Sequence, residues 1–371
     1  MRIGVPREIK NHEYRVGLIP AAVLELSRHG HEVLVEHTAG TGIGIEDAEY
    51  EAAGARIVPD AEAVFEQAEM IVKVKEPQAV ERAMLNDSHT LFTYLHLAPD
   101  RAQTEDLVNS GATCIAYETV TDRDGRLPLL APMSEVAGRL SIQAGAHCLE
   151  KAQGGSGMLL GGVPGVLPAK VMVIGGGVVG LNATQMAAGL GARVMVFDRN
   201  VDVLRRLDAL FESRIETLHS NAYTNAQHIR DADLVIGGVL IPGAAAPKLV
   251  NREHLRSMRQ GSVLVDVAID QGGCFETSRP TTHDEPTFIE EGVVHYCVAN
   301  MPGAVAHTST FALNHVTLPY TLTLADKSPR RALLDDPHLL AGLNVHRGQV
   351  TCQEVAEALG YEHVEARAAL G

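Results

Sequence analysis

Short apolar runs of strand length alternate with helix-compatible segments over the first third of the chain. The runs fall at 2–5, 32–36, 56–58, 70–74, 90–94 and 113–117, with helical stretches at 20–29, 61–67 and 100–109. Strands that read as continuous apolar runs between helices predict a mostly parallel sheet covered on both faces. A turn-rich segment, 122–132, marks a boundary. Beyond it, 134–153 is expected to form a long helix with Ser134 as its N-cap, followed by a glycine-rich loop over 154–168.

The pattern then sharpens. A buried-type run, Val171-Met172-Val173-Ile174, leads directly into Gly175, Gly177 and Gly180. A helix-compatible segment follows and stops at Gly189 and Gly191, and a further strand over 193–197 ends on Asp198. Strand, glycine turn, helix, strand and acid in this order make a dinucleotide-binding unit. Its glycines permit a tight turn, close backbone approach to a pyrophosphate and close packing of helix on sheet. The free N–H groups and dipole of the helix N-terminus favour an anion there.

Further strands at 233–236, 262–267 and 293–297 complete a Rossmann-type sheet ending near residue 304. The remainder, 305–371, reads as mainly helical, with one long helix over 306–325. So short a helical tail buries little core alone and is expected to return to the first segment. The expected fold class is therefore α/β, with two doubly wound, Rossmann-like domains built on parallel sheets. The first domain is discontinuous, 1–128 plus 305–371, and carries substrate and catalytic groups; the second, 129–304, binds the nucleotide.

Composition agrees with that picture. A chain of 371 residues exceeds one ordinary core, and 4 % aromatic content with 35 glycines suits an α/β protein of small aliphatic residues and tight turns. The formal charge of -15, without clustered Lys or Arg, argues against a nucleic-acid partner. Cys114, Cys148, Cys274, Cys297 and Cys352 are odd in number, widely spaced and set in apolar runs. They read as reduced thiols of a cytoplasmic protein. No signal-peptide pattern opens the chain and no apolar span reaches membrane length, so neither secretion nor a membrane partner is expected.

In open α/β sheets, ligands bind beyond the carboxyl ends of the strands. Arg15 lies in the loop after the first strand, Lys75 and His96 at the ends of the runs MIVKVK and TLFTYLHL, and Asp270 at the end of SVLVDVAID. A carboxylate substrate calls for Arg or Lys, and proton transfer near neutral pH calls for histidine. Each residue also has an ordinary reading: surface cations for Arg15 and Lys75, a satisfied core histidine for His96, a turn aspartate for Asp270. Histidine spacing elsewhere is not that of a metal site, so no metal is expected.

The segments IGVPREIKNHEYRVGL, VKVKEP, TYLHLA, LPLLAPMSEVAGR, VIGGGVVGLNA, VDVAIDQGGCFETSRPTTHDEPTF and VANMPGAVAHTST resemble, in that order, the alanine dehydrogenase/transhydrogenase alpha-subunit family. The resemblance covers essentially the whole chain. It implies NAD-dependent oxidative deamination of L-alanine to pyruvate and ammonia, and the reverse reductive amination of pyruvate with ammonium. Arg15 and Lys75 would bind substrate, His96 would be the general acid/base and Asp270 its catalytic partner.

For the cofactor the resemblance points to Ser134, Gly175, Gly177, Val178, Val179, Gly180, Asp198, Ser220, Val239, Leu240, Val267, Ala268, Ile269, Asp270, Arg279, Val298, Ala299, Asn300 and Met301. Asp198 is expected to hold the ribose hydroxyls and favour NAD over NADP, with Arg199 as a possible counterweight. Val203 departs from the family, which often carries a basic residue there. A cytoplasmic homohexamer is also implied. Three other readings share the plan: a transhydrogenase nucleotide-binding subunit, a lysine- or saccharopine-type dehydrogenase with a larger substrate, and a non-catalytic NAD-sensing module.

Overall fold

The computed structural model describes residues 1–239 and 247–371, the Gln271 side chain excepted. The chain divides into two compact units, 1–133 with 303–371 and 134–302. In the first, the strands are β1 (Arg2–Val5), β2 (Glu32–Glu36), β3 (Arg56–Val58), β4 (Met70–Val72), β5 (Thr90–Thr93) and β6 (Thr113–Ala116). In the second they are β7 (Lys170–Ile174), β8 (Arg193–Asp198), β9 (Ile215–His219), β10 (Leu234–Gly237), β11 (Val263–Asp266), β12 (Thr287–Glu290) and β13 (Val293–Tyr296). The tail adds β14 (Leu343–His346) and β15 (Gln349–Val350).

The first sheet has the order β15-β14-β6-β5-β4-β1-β2-β3, and β1 to β6 pair in parallel. Residues of β4 and β5 are buried throughout, as expected of strands covered on both faces. The tail is not purely helical. β14 joins β6 antiparallel and β15 folds back on β14, so the returning chain completes the first unit by extending its sheet. Two features hid these strands: each is short, and both lie between helical segments.

The second sheet has the order β12-β13-β11-β10-β7-β8-β9, parallel except for the antiparallel edge strand β12. The helix expected from 134 instead spans Ala131–Cys148, which places Ser134 inside it and not at its cap. Pro132 explains the earlier start: its fixed φ suits a first helical turn, where its missing N–H costs nothing.

The helix Ala306–Lys327 has a buried face containing Ser309, Thr310, Leu313, Asn314 and Thr317. It holds the loop between β1 and the first helix: Val16 N donates to Thr310 Oγ1 at 3.4 Å and Ile19 N to Asn314 Oδ1 at 2.9 Å. In that loop Gly17 crosses the end of β4 so closely that a Cβ would stand 2.4 Å from Val72 O. Helix and glycine together fix the path that carries Arg15.

Candidate active site

Arg15, Lys75 and His96 all belong to the first unit and follow β1, β4 and β5, which are neighbours in one sheet. None ends its strand; they lie in the loops just beyond. Arg15 is buried at 2 % exposure against Glu13, with Nε 2.6 Å from Oε1 and an NH2 group 2.5 Å from Oε2. Its other terminal nitrogen approaches Met133 Sδ at 3.2 Å. A cavity of about 400 Å³ adjoins this pair, lined by Arg15, Glu13, Glu8, Lys10, Tyr14 and Thr38 among others. Arg15 is thus no ordinary surface cation, since its guanidinium is oriented by a buried carboxylate.

Lys75 is buried as well, three residues past the end of β4, with its ammonium 3.8 Å from Glu76 Oε2. His96 is the opposite of a core histidine. Its side chain is 43 % exposed, its backbone takes φ 50°, and its amide donates to Glu118 Oε1 at 2.6 Å. A left-handed conformation is costly away from glycine and clusters at functional sites. The imidazole stacks on Tyr94 with centroids 5.8 Å apart and planes at 6°, and Tyr94 is anchored by donating its hydroxyl hydrogen to Leu129 O. Burial raises the Tyr94 phenol, so that ring is a neutral platform.

Beneath these residues lies a charge cluster that motif reading did not single out. Lys73 is fully buried with its ammonium 3.0 Å from Glu8 Oε2 and 2.7 Å from Glu81 Oε1. Burial pushes the Glu8 carboxyl up although Lys73 opposes it; for Lys73, burial acts downward but the two glutamates hold its pKa above the usual lysine value. The available signal was a lysine inside an apolar strand run, MIVKVK, where an unpaired charge is too costly to bury.

In the second unit, the glycine turn has the form a pyrophosphate needs. Gly175 takes φ 100° and a Cβ there would meet Gly238 O at 2.8 Å. Gly177 is exposed at the N-terminus of the helix Val178–Gly189, with nothing within 4 Å of an added Cβ. Val178 is exposed, Val179 half-buried and Gly180 buried. Asp198 ends β8, and its two oxygens accept N–H bonds from Gly176 at 2.7 Å and Asn200 at 2.8 Å. These features fit a dinucleotide, with the open glycine edge for phosphates and the carboxylate for ribose hydroxyls.

The Val203 methyl stands 2.6 Å from where a Gly176 Cβ would lie. Among the nearby cations, Arg206 donates to Gly176 O at 3.2 Å, Arg205 pairs with Asp202 and Arg199 is exposed. Ser220 follows β9, its amide donating to Asp198 O at 2.9 Å and its hydroxyl sharing a bond with Asn225. Val239 follows β10, with Cγ2 3.0 Å from a Cβ built on Gly175. Leu240 lies outside the described residues.

Asp270 does not end a strand. β11 stops at Asp266, and exposed Asp270 sits four residues on in a short 3-10 turn, Ile269–Gln271. Asp266 holds that loop, accepting from Ala268 N, Cys274 N, Phe275 N and the Ser278 hydroxyl. Burial raises the Asp266 carboxyl, and those bonds oppose the rise. Lys248 grips the far side through the carbonyls of Gly272, Gly273 and Phe275. An aspartate interrupting LVDVA was the visible sign of this buried anchor.

Within the same stretch, Val267 N bonds Gly237 O at 3.0 Å, Ala268 is half-buried and Ile269 is buried. Arg279 is exposed, stacked over Phe288 at 4.1 Å. Val298 and Met301 are buried, Ala299 N donates to Thr281 O at 3.1 Å, and Asn300 takes φ 64° with its carbonyl 3.2 Å from His283 Nε2. Among the described residues no cluster of three or more His, Cys, Asp or Glu could hold a metal ion. No helix among them is long and apolar enough to cross a membrane.

Two family models match the chain. The alanine dehydrogenase/PNT N-terminal domain covers residues 4–137 and the corresponding C-terminal domain covers 141–353. An alanine dehydrogenase of Halomonas elongata is 60 % identical over 371 residues, all of both chains. A solved L-alanine dehydrogenase superposes with a TM-score of 0.94 at 52 % identity, covering 97 % of this chain and 99 % of that one. A transhydrogenase structure from Sinorhizobium meliloti follows at a TM-score of 0.81 and 27 % identity, with 95 % and 99 % covered. With both domain models matched in order and identity this high over full length, the chain belongs to the alanine dehydrogenase/PNT family.

Proposed function

We propose that the chain is an L-alanine dehydrogenase that uses NAD, converting L-alanine to pyruvate and ammonia and running the reverse reductive amination. The observation that carries this reading is the placement of Arg15, Lys75 and His96 beyond three neighbouring strands of one sheet. Residues 1–128 with 305–371 supply the substrate groups, and 129–304 supply the nucleotide site.

Bound NAD supplies a nicotinamide that accepts hydride from the substrate Cα. Arg15 binds the substrate carboxylate, with Glu13 holding its guanidinium plane; a fixed plane saves ordering entropy when the substrate arrives. Lys75 engages the carbonyl side of pyruvate, where a buried ammonium polarises oxygen more strongly than it would in water. His96, exposed and stacked on Tyr94, can exchange protons with both substrate and solvent, as hydration of an imine and expulsion of ammonia from the resulting carbinolamine require. Asp270 is the second catalytic group, its carboxylate accepting a hydrogen bond from the amine. Gly175, Gly177 and Gly180 accommodate the pyrophosphate, and Asp198 holds the adenosine ribose and disfavours a 2′-phosphate.

The family resemblance further supports a cytoplasmic homohexamer, which light scattering on purified protein would test. For the activity, NADH oxidation is followed with pyruvate and ammonium, beside glyoxylate and 2-oxobutyrate. Turnover fastest with pyruvate is expected. NADH binding without turnover on any 2-oxo acid would favour a transhydrogenase-like nucleotide carrier instead.

A further inference from the structure

Lys75 has a structural problem that its neighbours solve. β4 ends at Val72, so the peptides that carry Lys75 have left the regular strand. Two backbone bonds tie them to β5 and to the residue just after it, Lys73 N to Phe92 O at 3.2 Å and Tyr94 N to Val74 O at 3.2 Å. The amides of Val74 and Lys75 turn the other way and donate to a side chain, Glu8 Oε1, at 2.6 and 3.3 Å. Carbonyls in the same stretch are held by side chains too. The Thr93 hydroxyl donates to Lys75 O and the Tyr117 hydroxyl to Lys73 O, each at 3.0 Å.

Glu8 is itself immobilised. Its Oε2 accepts from the Lys73 ammonium at 3.0 Å, and that ammonium lies 2.7 Å from Glu81 Oε1. All three side chains are only 1 % exposed. Burying three charges with an excess of one carboxylate is a poor route to stability, because apolar side chains of similar volume commonly hold a fold as well or better. What an ionic group offers and an apolar one lacks is direction: one carboxylate, locked by a lysine, can fix two peptide N–H groups at once.

We propose that Glu8, locked by Lys73, is a positioning residue that sets where the Lys75 ammonium stands during turnover. This rests on the reading of Lys75 as a substrate-binding group. Glu8 acts through the backbone of residues 74 and 75, while Thr93 restrains the same segment from its carbonyl side.

Glu8→Gln tests the idea in the full-length enzyme. Glutamine keeps the shape but has a single acceptor oxygen and sets an amide NH2 against the Lys73 ammonium, so the grip on the two N–H groups is weakened. The measurements are pyruvate saturation curves at saturating ammonium and NADH, NADH affinity by fluorescence, and the melting temperature. We expect kcat/KM for pyruvate to fall about 10- to 100-fold, the order produced by misplacing a catalytic group by roughly 1 Å, with NADH affinity unchanged. A merely structural role would lower the melting temperature and the active fraction while leaving KM for pyruvate unchanged, and that result overturns the proposal.

If Glu8→Gln yields no folded protein, Thr93→Val reads the same restraint with a near-isosteric change. It should lower kcat/KM for pyruvate several-fold with unaltered NADH binding, and wild-type kinetics in this variant would overturn the proposal. Lys75→Ala separates the two levels. Wild-type turnover in Lys75→Ala would sink the reading of Lys75 itself, whereas an inactive Lys75→Ala beside a fully active Glu8→Gln would sink only the positioning role.

Discussion

Gly180 packs against the turn it follows so tightly that a Cβ on it would stand 1.7 Å from the Gly175 carbonyl oxygen. Three residues earlier, Gly177 has open space instead. The two positions therefore separate folding from binding. Gly180→Ala should destabilise the nucleotide unit by about 3 kcal/mol or more, the upper range for overpacking a core contact. Gly177→Ala should leave the melting temperature near that of the wild type and raise the KM for NADH. Thermal melts and NADH titrations on both variants check the contrast, which fails if Gly180→Ala melts like the parent.

Asp198 spends one lone pair of each oxygen on the turns around it, through Gly176 N and Asn200 N. Its remaining acceptor capacity and its charge are what would distinguish ribose hydroxyls from a 2′-phosphate. Asp198→Asn should cut the ratio of kcat/KM for NADH over NADPH by about tenfold or more, since one unit charge repelling another at close range exceeds 1.4 kcal/mol. Steady-state kinetics with the two cofactors measure this ratio. An unchanged ratio would move cofactor choice elsewhere, with Arg199 the next residue to test.

His96 is exposed and stacked on a single face, so removing it opens no cavity. His96→Ala should fold normally and lose about 10²- to 10⁴-fold in kcat, the usual contribution of a general acid/base. NADH affinity should be retained. Retention of most of the activity would rule His96 out of that role.

Asp266 offers a test with a pH sign. Burial raises its carboxyl pKa in the folded state above the ordinary 3.8, so the native chain holds this proton more tightly than the unfolded one. The group then contributes stability that is fully present below the unfolded pKa and is lost as pH rises through the folded one. Asp266→Asn abolishes that contribution. The stability difference between parent and variant, from urea unfolding, should therefore shrink as pH is raised above 3.8. A difference that grows over that window would contradict the assignment.

All five cysteines are free and buried, and burial pushes Cys114, Cys274, Cys297 and Cys352 up to about 12 and Cys148 to about 11. Because thiolate is the reactive form, the native protein should react slowly with a disulfide reagent at pH 8, and denaturant should release all five thiols. Rapid native labelling of any one would show that its burial is broken by local opening.

Much of the fold was legible because parallel strands are self-announcing. Apolar runs such as 2–5, 70–74 and 90–94 fall on β1, β4 and β5, since a strand covered on both faces tolerates little else. Where that rule relaxes, legibility dropped. β9 and the antiparallel strands β12 and β15 carry polar residues on their open sides and did not stand out, while β14 is buried but only four residues long, with a buried, hydrogen-bonded Asn344 interrupting its apolar run. Ser134 misled for a different reason, because a good capping residue is also tolerated within a helix, and Pro132 had already set the start.

By itself the sequence determined the glycine turn with its acid, Asp198, and a set of polar residues near strand ends, because local spacing dictates both. It also carried the family resemblance, through blocks whose order survives in the chain. Only the tertiary structure decided how those residues are held. That Arg15 reaches Met133, that Lys75 hangs from Glu8 and that Lys73 pairs with the same Glu8 are consequences of contacts between segments far apart in the chain. A buried charge is stable only where distant parts of the chain bring it a partner, and spacing along the sequence contains no record of that meeting.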